Sequence, residues 1–154
     1  MIYIIGLISV IIDQVTKYIV SHNMHFHQSI PVIKNVFHIT NIRNSGMAFG
    51  LFRGANPVLI VISIIVIIFI IVFEKRITAK SVLERVCLGL ILGGAVGNLI
   101  DRVLRGYITD FFDFRVFPIF NVADSSVFVG AVILFFIYVR KKPARPSPDE
   151  RQGS

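Results

Sequence analysis

The segment from Gly93 to Ser126 reads GGAVGNLIDRVLRGYITDFFDFRVFPIFNVADSS. It begins inside one apolar segment, crosses a short polar connection and enters the next apolar segment. Its four aspartates are Asp101, Asp110, Asp113 and Asp124. Because carboxylates close to hydrocarbon are usually turned inward, paired or functional, their concentration here indicates a functional site.

The composition of the whole chain is that of a small integral membrane protein. Its 154 residues have a mean hydropathy of +0.76, and 55% of them are apolar. The net charge of +7 comes mainly from basic residues at the ends of apolar runs, which indicates membrane topology rather than nucleic-acid binding. The single cysteine, Cys87, lies in an apolar run, so we expect no disulfide framework and no thiol ligand cluster.

Four membrane-spanning helices are predicted, at about residues 2–20, 55–73, 86–102 and 121–139. At about 1.5 Å per residue, each is long enough for most or all of a hydrocarbon core of about 30 Å. The first span lacks the basic region and small-residue cleavage site of a removable signal peptide. We therefore expect residues 1–139 to form a single membrane domain, followed by a disordered tail at 140–154.

Two connections between the spans have a distinctive amino-acid composition. Residues 21–53 combine strand-forming side chains with a turn at Asn44-Ser45-Gly46, which predicts a small sheet or hairpin on the membrane surface. Residues 107–120 are rich in aromatic side chains and predict a connection at the membrane interface. The histidines of the first connection have no carboxylate or cysteine partner nearby in sequence, so no metal site is expected.

Polar residues inside the spans fall on shared helix faces. Asp13 and Lys17 are four residues apart, a spacing that permits an ion pair. In the third span a strip of glycines lets a neighbouring backbone approach closely, and Asn98 and Asp101 continue that face. Asn121 and Asp124 share a face at the start of the fourth span.

The basic residues also predict the orientation in the membrane. The connection from residue 74 to 85 and the tail from residue 140 contain nine of the sixteen basic residues. Because a basic excess marks the cytoplasmic side, both termini are expected in the cytoplasm. The four aspartates then lie toward the outer face.

Two of these carboxylates are predicted to form a catalytic pair. When two carboxyl groups lie a few ångströms apart, one keeps a proton near neutral pH while the other stays charged. Such a pair can activate a water and protonate an amide leaving group. The residues alone do not choose among the four, although Asp101 beside Arg102 is interpreted as an ion-pair partner and Asp113 as a solvated interface charge.

Five motifs in order resemble the bacterial lipoprotein signal peptidases, also called signal peptidase II, over residues 12–139. They are DQVTK (13–17), NSGMAF (44–49), GGAVGNLIDR (93–102), ITDF (108–111) and FNVADS (120–125). The resemblance implies an all-α membrane protein of four transmembrane helices with a small extracytoplasmic β-sheet cradle and a short interfacial helix. It also implies an aspartic endopeptidase of the bacterial cytoplasmic membrane.

In that family the catalytic pair corresponds to Asp110 and Asp124. The substrates are prolipoprotein signal peptides, cut just before a cysteine that carries a diacylglyceryl group, and globomycin-type inhibitors block the site. No cofactor is implied, and we expect a monomer in contact with membrane lipids. The loop from Asn44 to Phe49, with Gly46 for flexibility, is expected to cover the scissile bond. Matches to residues that support the site or the substrate are Asp13, Lys17, Asn44, Gly46, Asn98, Asp101, Arg102 and Asn121.

Two other classes of protein share some of these features. A small ion or proton transporter subunit also carries intramembrane carboxylates, but transporters usually show internal repeats and charges near the midplane. We find no repeat, and the acids cluster at one face. A structural membrane protein would explain the glycine strip but would leave Asp110 and Asp124 without a role.

Overall fold

The computed structural model describes residues 1–46, 56–73 and 81–140. Four helices, each long and apolar enough to cross a membrane, account for most of the chain. They are α1 (Ile2–Asn23), α2 (Asn56–Phe73), α3 (Val82–Arg105) and α4 (Val122–Arg140). Three strands, β1 (Ser29–Ile33), β2 (Phe37–Asn44) and β3 (Ile108–Asp113), form one antiparallel sheet in the order β1-β2-β3. The predicted fold class, four apolar helices with a small β-sheet, is confirmed.

Helix α3 lies at the centre of the bundle and contacts each of the other three helices. Its ends are well defined: Ser81 and Glu84 form a capping box at its start, and Gly106 closes its end in the left-handed conformation with φ of 75°. These features satisfy backbone groups that the helix leaves unpaired at its ends.

The predicted glycine strip is the surface on which α3 packs. A Cβ added to Gly93 would lie 2.6 Å from Cβ of Ser9 on α1, and one added to Gly97 would lie 2.6 Å from Oδ2 of Asp13. Gly94 faces Ala123 of α4 at similarly short range. The glycines therefore bring α1 and α4 close to the polar end of α3.

Helix α2 is mainly a lipid-facing element. Only Leu59 and Ile70 are buried among its residues, and Ile70 belongs to an apolar cluster with Ile2, Leu88 and Leu92. Since an uncharged helix with a mostly exposed apolar surface is stable in hydrocarbon rather than in water, its pattern agrees with the predicted span.

The sheet packs at one end of the bundle through Val20 of α1, Met24 directly after this helix and Phe111 of β3. Its third strand lies in the connection for which the sequence predicted only an aromatic interface segment. Because β3 pairs with a strand more than 60 residues earlier in the chain, no local pattern shows the partner that makes this segment a strand.

Some predictions are not tested by the described residues. These residues contain no helix besides α1–α4, so the short interfacial helix stays a prediction. Residues 47–49 of the expected covering loop lie outside the described ranges, as does the tail after Arg140. The assignment of residues 1–139 to a single domain also stays a prediction.

Candidate active site

Asp110 and Asp124 line the same cavity although they come from different elements. The cavity has a volume of about 670 Å³. Asp110 lies in the middle of β3 and is 2% exposed, whereas Asp124 lies in the first turn of α4. The positive end of a helix dipole stabilises a carboxylate in that turn.

Two asparagines connect these carboxylates. Asn98 Nδ2 donates a hydrogen bond to Asp124 Oδ1 at 2.7 Å, and Asn121 Nδ2 donates to Asp110 Oδ1 at 2.6 Å. Asn121 Nδ2 also donates to Asn98 Oδ1 at 3.2 Å. Direct hydrogen bonds between side chains therefore connect the two carboxylates, in the order Asp124, Asn98, Asn121 and Asp110.

A third asparagine approaches Asp110 from strand β2. Asn44 Nδ2 donates to Asp110 Oδ2 at 2.8 Å, and Asn44 Oδ1 accepts from the backbone N–H of Gly46 at 3.0 Å. Asn121 is fixed in the same way, because its Oδ1 accepts from the backbone N–H of Asp124 at 2.9 Å. Each of these amides thus has its oxygen occupied by a backbone donor and presents its NH₂ group to Asp110.

Behind the site lies a group of four charged side chains on α1 and α3, of which three are fully buried and Arg105 is partly exposed. Lys17 Nζ lies 2.8 Å from Asp13 Oδ2 and 2.9 Å from Asp101 Oδ2, and all three side chains are 0% exposed. Arg105 pairs with Asp101 at 2.6 Å. Two acids and two bases compensate one another, as buried ions require.

This group also corrects one prediction and adds one residue. Asp101 pairs with Lys17 and Arg105 rather than with its sequence neighbour Arg102, because adjacent helical residues point in different directions. Arg105 was not among the predicted site residues. Its spacing of four from Asp101 was the available signal.

Asp13 carries a further structural contact. Its Oδ1 accepts from the backbone N–H of Ala123 at 2.9 Å, which is one of the free donors at the start of α4. Gln14 donates to Asp13 Oδ2 at 3.2 Å and to the carbonyl of Gly97 at 3.1 Å. The predicted pair of Asp13 and Lys17 therefore holds three helices together beside the carboxylates.

Arg102 lines the cavity instead of joining the buried ion pairs. Its side chain is partly buried, and its Nε has no hydrogen-bond partner in the described part of the protein. A buried guanidinium donor without a partner is available to an incoming carbonyl or carboxylate oxygen.

Much of the remaining cavity wall is apolar, and Leu59, Phe114, Phe117, Phe120 and Phe128 contribute to it. These side chains come from α2, α4 and the segment after β3. The cavity therefore offers a few polar groups on an apolar surface, which is typical of a site for a largely apolar ligand.

The environment of Asp110 changes its acidity. Burial and the nearby charge of Asp124 raise the pKa of Asp110 to about 7, against the opposing effect of hydrogen bonds from Asn44 and Asn121. The carboxyl group is therefore divided between its protonated and ionised forms at neutral pH.

Asp113 differs from the prediction of a solvated charge. It is 4% exposed, accepts from Thr40 Oγ1 at 2.8 Å and pairs with Arg115 at 3.0 Å. Burial tends to raise the pKa of Asp113, but the hydrogen bonds from Thr40 and Arg115 bring it below its ordinary value. Asp113 lies on the opposite face of β3 from Asp110, because the two are three residues apart on a strand, and it stabilises the sheet.

Within the described ranges no three His, Cys, Asp or Glu residues are grouped so that they could hold a metal ion. The polar groups in contact with Asp110 and Asp124 are amides and backbone N–H groups, which donate hydrogen bonds. Such surroundings suit proton transfer between the carboxylates and a bound molecule.

Comparison with known proteins gives a consistent result. Residues 5–140 match the family model described as "Signal peptidase (SPase) II". The lipoprotein signal peptidase of Halothermothrix orenii is 46% identical over 134 residues, covering 87% of this chain and 92% of the relative. That of Bacillus subtilis is 44% identical over 137 residues, covering 86% and 89%.

Two solved structures are also similar. Both are of bacterial membrane enzymes determined by the in meso method, at 2.3 Å and 1.9 Å resolution. The first has a TM-score of 0.83 and 35% identity, with 92% of this chain and 93% of that chain covered. The second has a TM-score of 0.82 and 37% identity, with 90% and 92% covered.

Proposed function

Since the chain belongs to the signal peptidase II family, we propose that it is an aspartic endopeptidase that removes signal peptides from diacylglyceryl-modified prolipoproteins. The cut falls just before the lipidated cysteine. The single observation that carries this proposal is the convergence of Asp110 and Asp124 on one cavity through Asn98 and Asn121.

In the proposed reaction the two carboxyl groups begin in different protonation states. Asp124 is ionised, since the start of α4 and the NH₂ group of Asn98 both stabilise negative charge. Asp110 is protonated, in keeping with its pKa of about 7. A water held between the two groups is then in contact with one base and one acid.

The chemical steps follow from this starting state. Asp124 takes a proton from the water, and the water oxygen bonds to the carbonyl carbon of the scissile peptide. Asp110 protonates the leaving nitrogen as the carbon–nitrogen bond breaks, and the products are a carboxylic acid and an amine. The acid then gives its proton to the amine or to solvent, which leaves a carboxylate and an ammonium group at neutral pH. After product release the proton on Asp124 returns to Asp110 or is exchanged with solvent, which restores the starting state.

We assign supporting roles to the remaining polar residues. Asn44, Asn98 and Asn121 hold the carboxyl groups in position, and the fixed orientation of their amides means that little reorganisation is needed during reaction. Arg102 binds a carbonyl oxygen of the substrate through its guanidinium. Gly46 fixes Asn44 through its backbone N–H. Asp13, Lys17 and Asp101 set the distance between the helices that carry the site.

The apolar wall of the cavity suits a substrate that is itself embedded in the membrane. We propose that the signal helix and the acyl chains of the lipidated cysteine lie against the phenylalanines, while the peptide bond reaches the carboxylates. Globomycin-type inhibitors would occupy the same cavity. The enzyme acts as a monomer in the cytoplasmic membrane, with both termini in the cytoplasm and the site near the outer face, as the distribution of basic residues favours.

A cleavage assay tests the proposal directly. The purified protein is mixed in detergent or lipid with a diacylglyceryl-modified prolipoprotein, and the product is sized on a gel and its new N-terminus sequenced. We expect cleavage before the modified cysteine and none of the unmodified precursor. An uncleaved modified precursor would contradict the proposal, and proton flux through protein-containing liposomes without cleavage would favour the transporter class.

A further inference from the structure

Strand β2 contains one more residue than the part of β3 that lies opposite. In the register of these strands, Ile39 pairs with Phe112 and Ile42 pairs with Asp110. Three steps along β2 therefore correspond to two steps along β3. An extra residue of this kind is a β-bulge, which redirects the side chains that follow it and is frequent beside active sites.

The bulge consists of Thr40 and Asn41, and Asn41 is bound on the side away from β3. Its backbone N–H donates to the carbonyl of Gln28 at 3.0 Å, and its carbonyl accepts from the N–H of His27 at 2.9 Å. Its side-chain Nδ2 donates to the carbonyl of Met24, at the end of α1, over 2.8 Å. Asn41 is 6% exposed, so the loss of any of these bonds would leave a buried polar group unsatisfied.

The bulge decides which side chain of β2 faces the candidate active site. Asn44 points to Asp110, whereas its neighbour Arg43 points to the opposite face and stacks between Phe26 and Tyr107, with its guanidinium carbon 5.2 Å and 5.0 Å from the ring centroids. Successive side chains on a strand alternate between faces. If the same sequence formed a regular strand without the bulge, a shift of one residue would exchange these faces.

We propose that Asn41 is a positioning residue whose anchored bulge sets the amide of Asn44, rather than the guanidinium of Arg43, against Asp110. This inference rests on the proposed function, because it takes Asp110 as catalytic. An arginine at that place would put a permanent positive charge beside the carboxyl group and would hold it ionised. The register of β2 therefore keeps Asp110 able to hold the proton that it donates to the leaving group.

The first experiment compares Asn41→Ala with Asn23→Ala in the cleavage assay. Asn23 also donates to a backbone carbonyl of α1, that of Ile19 at 2.8 Å, but it is exposed. For Asn41→Ala we expect kcat to fall about ten- to a hundredfold, the size typical of a small misplacement of catalytic groups, with little change in KM. Asn23→Ala should keep both values.

A pH profile separates positioning from a general loss of structure. The hydrogen bond from Asn44 lowers the pKa of Asp110, so its loss should move the alkaline limb of kcat to higher pH. We expect that move in Asn44→Ala. Asn41→Ala should instead move the alkaline limb to lower pH, because the shifted register places Arg43 beside Asp110 and favours the ionised carboxylate. An alkaline limb of Asn41→Ala that stays in place or moves to higher pH would overturn the proposal.

A cross-linking experiment reads the register without any need for activity. Arg43 and Thr109 are register partners, and partners on antiparallel strands lie within disulfide range. In a Cys87→Ala background, the pair Arg43→Cys and Thr109→Cys should oxidise readily, and adding Asn41→Ala should at least halve the yield. Unchanged cross-linking would overturn the positioning role of Asn41.

The two readouts also separate this inference from the proposed function. If the unsubstituted protein fails to cleave a lipidated precursor, the proposed function fails, and the cross-linking yield still decides whether Asn41 sets the register. If cross-linking changes while the alkaline limb of an active enzyme stays in place, the connection to Asp110 is overturned.

Discussion

The ammonium group of Lys17 lies 2.9 Å from the side-chain oxygen of Asn98. This contact fixes the orientation of the Asn98 amide, because the oxygen faces the cation and only the NH₂ group remains to face Asp124. Lys17 therefore connects two parts of the molecule that have different tasks. On one side it neutralises Asp13 and Asp101, and on the other it determines which group Asn98 offers to the cavity.

Replacing either member of the acidic pair should remove activity without unfolding the protein. Asp110→Asn and Asp124→Asn keep the size of the side chain but cannot exchange the proton, so we expect kcat to fall about 10²- to 10⁴-fold. Cleavage of a lipidated precursor measures this, with thermal unfolding in detergent as the check on folding.

Asp113→Asn is the matched control for these substitutions. It changes a buried carboxylate on the same strand that contacts Thr40 and Arg115 instead of the cavity. We expect lower thermal stability and an unchanged pH profile. Near-native turnover of Asp110→Asn or Asp124→Asn would show that the residue concerned is not catalytic.

The rate should depend on pH through Asp110. Because the pKa of this group is about 7, kcat should fall as the pH rises above about 7 and the group loses the proton for the leaving nitrogen. A profile of kcat from about pH 5 to 9 tests this. A rate that stays constant between pH 6 and 9 would contradict the role of Asp110 as the acid.

Asp110 should also make stability depend on pH. The pKa of Asp110 in the folded protein lies above its ordinary value of 3.8. The contribution of Asp110 to the free energy of unfolding is therefore most favourable below pH 3.8 and decreases until the pH has passed about 7. Asp110→Asn removes the free-energy cost of burying an ionised carboxylate. It should therefore raise the unfolding temperature, relative to the unsubstituted protein, more at pH 8 than at pH 5. Equal effects at both values would indicate that the group titrates normally.

Lys17→Met should strongly destabilise the fold. The substitution leaves Asp13 buried without a cation and Asp101 with Arg105 as its partner, and breaking a buried ion pair by removing one partner costs about 3–5 kcal/mol. Arg115→Met is the comparison, because its side chain is 51% exposed in its pair with Asp113 and such pairs contribute about 1 kcal/mol or less. Unfolding in denaturant should rank the two variants in this order, and equal losses would argue against a compensating role for Lys17.

The packing of α1 on α3 should tolerate a methyl group at one glycine but not at another. A Cβ on Gly93 would lie 2.6 Å from Cβ of Ser9, whereas one on Gly6 would lie 3.4 Å from the nearest atom, the carbonyl oxygen of Gly89. We expect Gly93→Ala to lose about 1–3 kcal/mol through overpacking and Gly6→Ala to lose much less. Thermal unfolding of the two variants provides the measurement.

Predictions from the sequence succeeded where the signal was local. The apolar runs showed the four helices, the spacing of the glycines showed the packing face of α3, and the spacing of Asp13 and Lys17 showed their ion pair. The prediction for Asp113 was wrong because its partner Thr40 lies 73 residues away in the chain. The partner of Asp101 was misassigned because sequence adjacency was taken for contact on a helix.

By itself the sequence determined that the chain forms membrane helices, since burial of uncharged segments in hydrocarbon depends on composition and length alone. It also determined which residue types were available for chemistry. Only the tertiary structure decided which of the four aspartates share a cavity, and that Asn44 rather than Arg43 faces Asp110. Those outcomes depend on helix packing and strand register, which are fixed by contacts between residues distant in the chain.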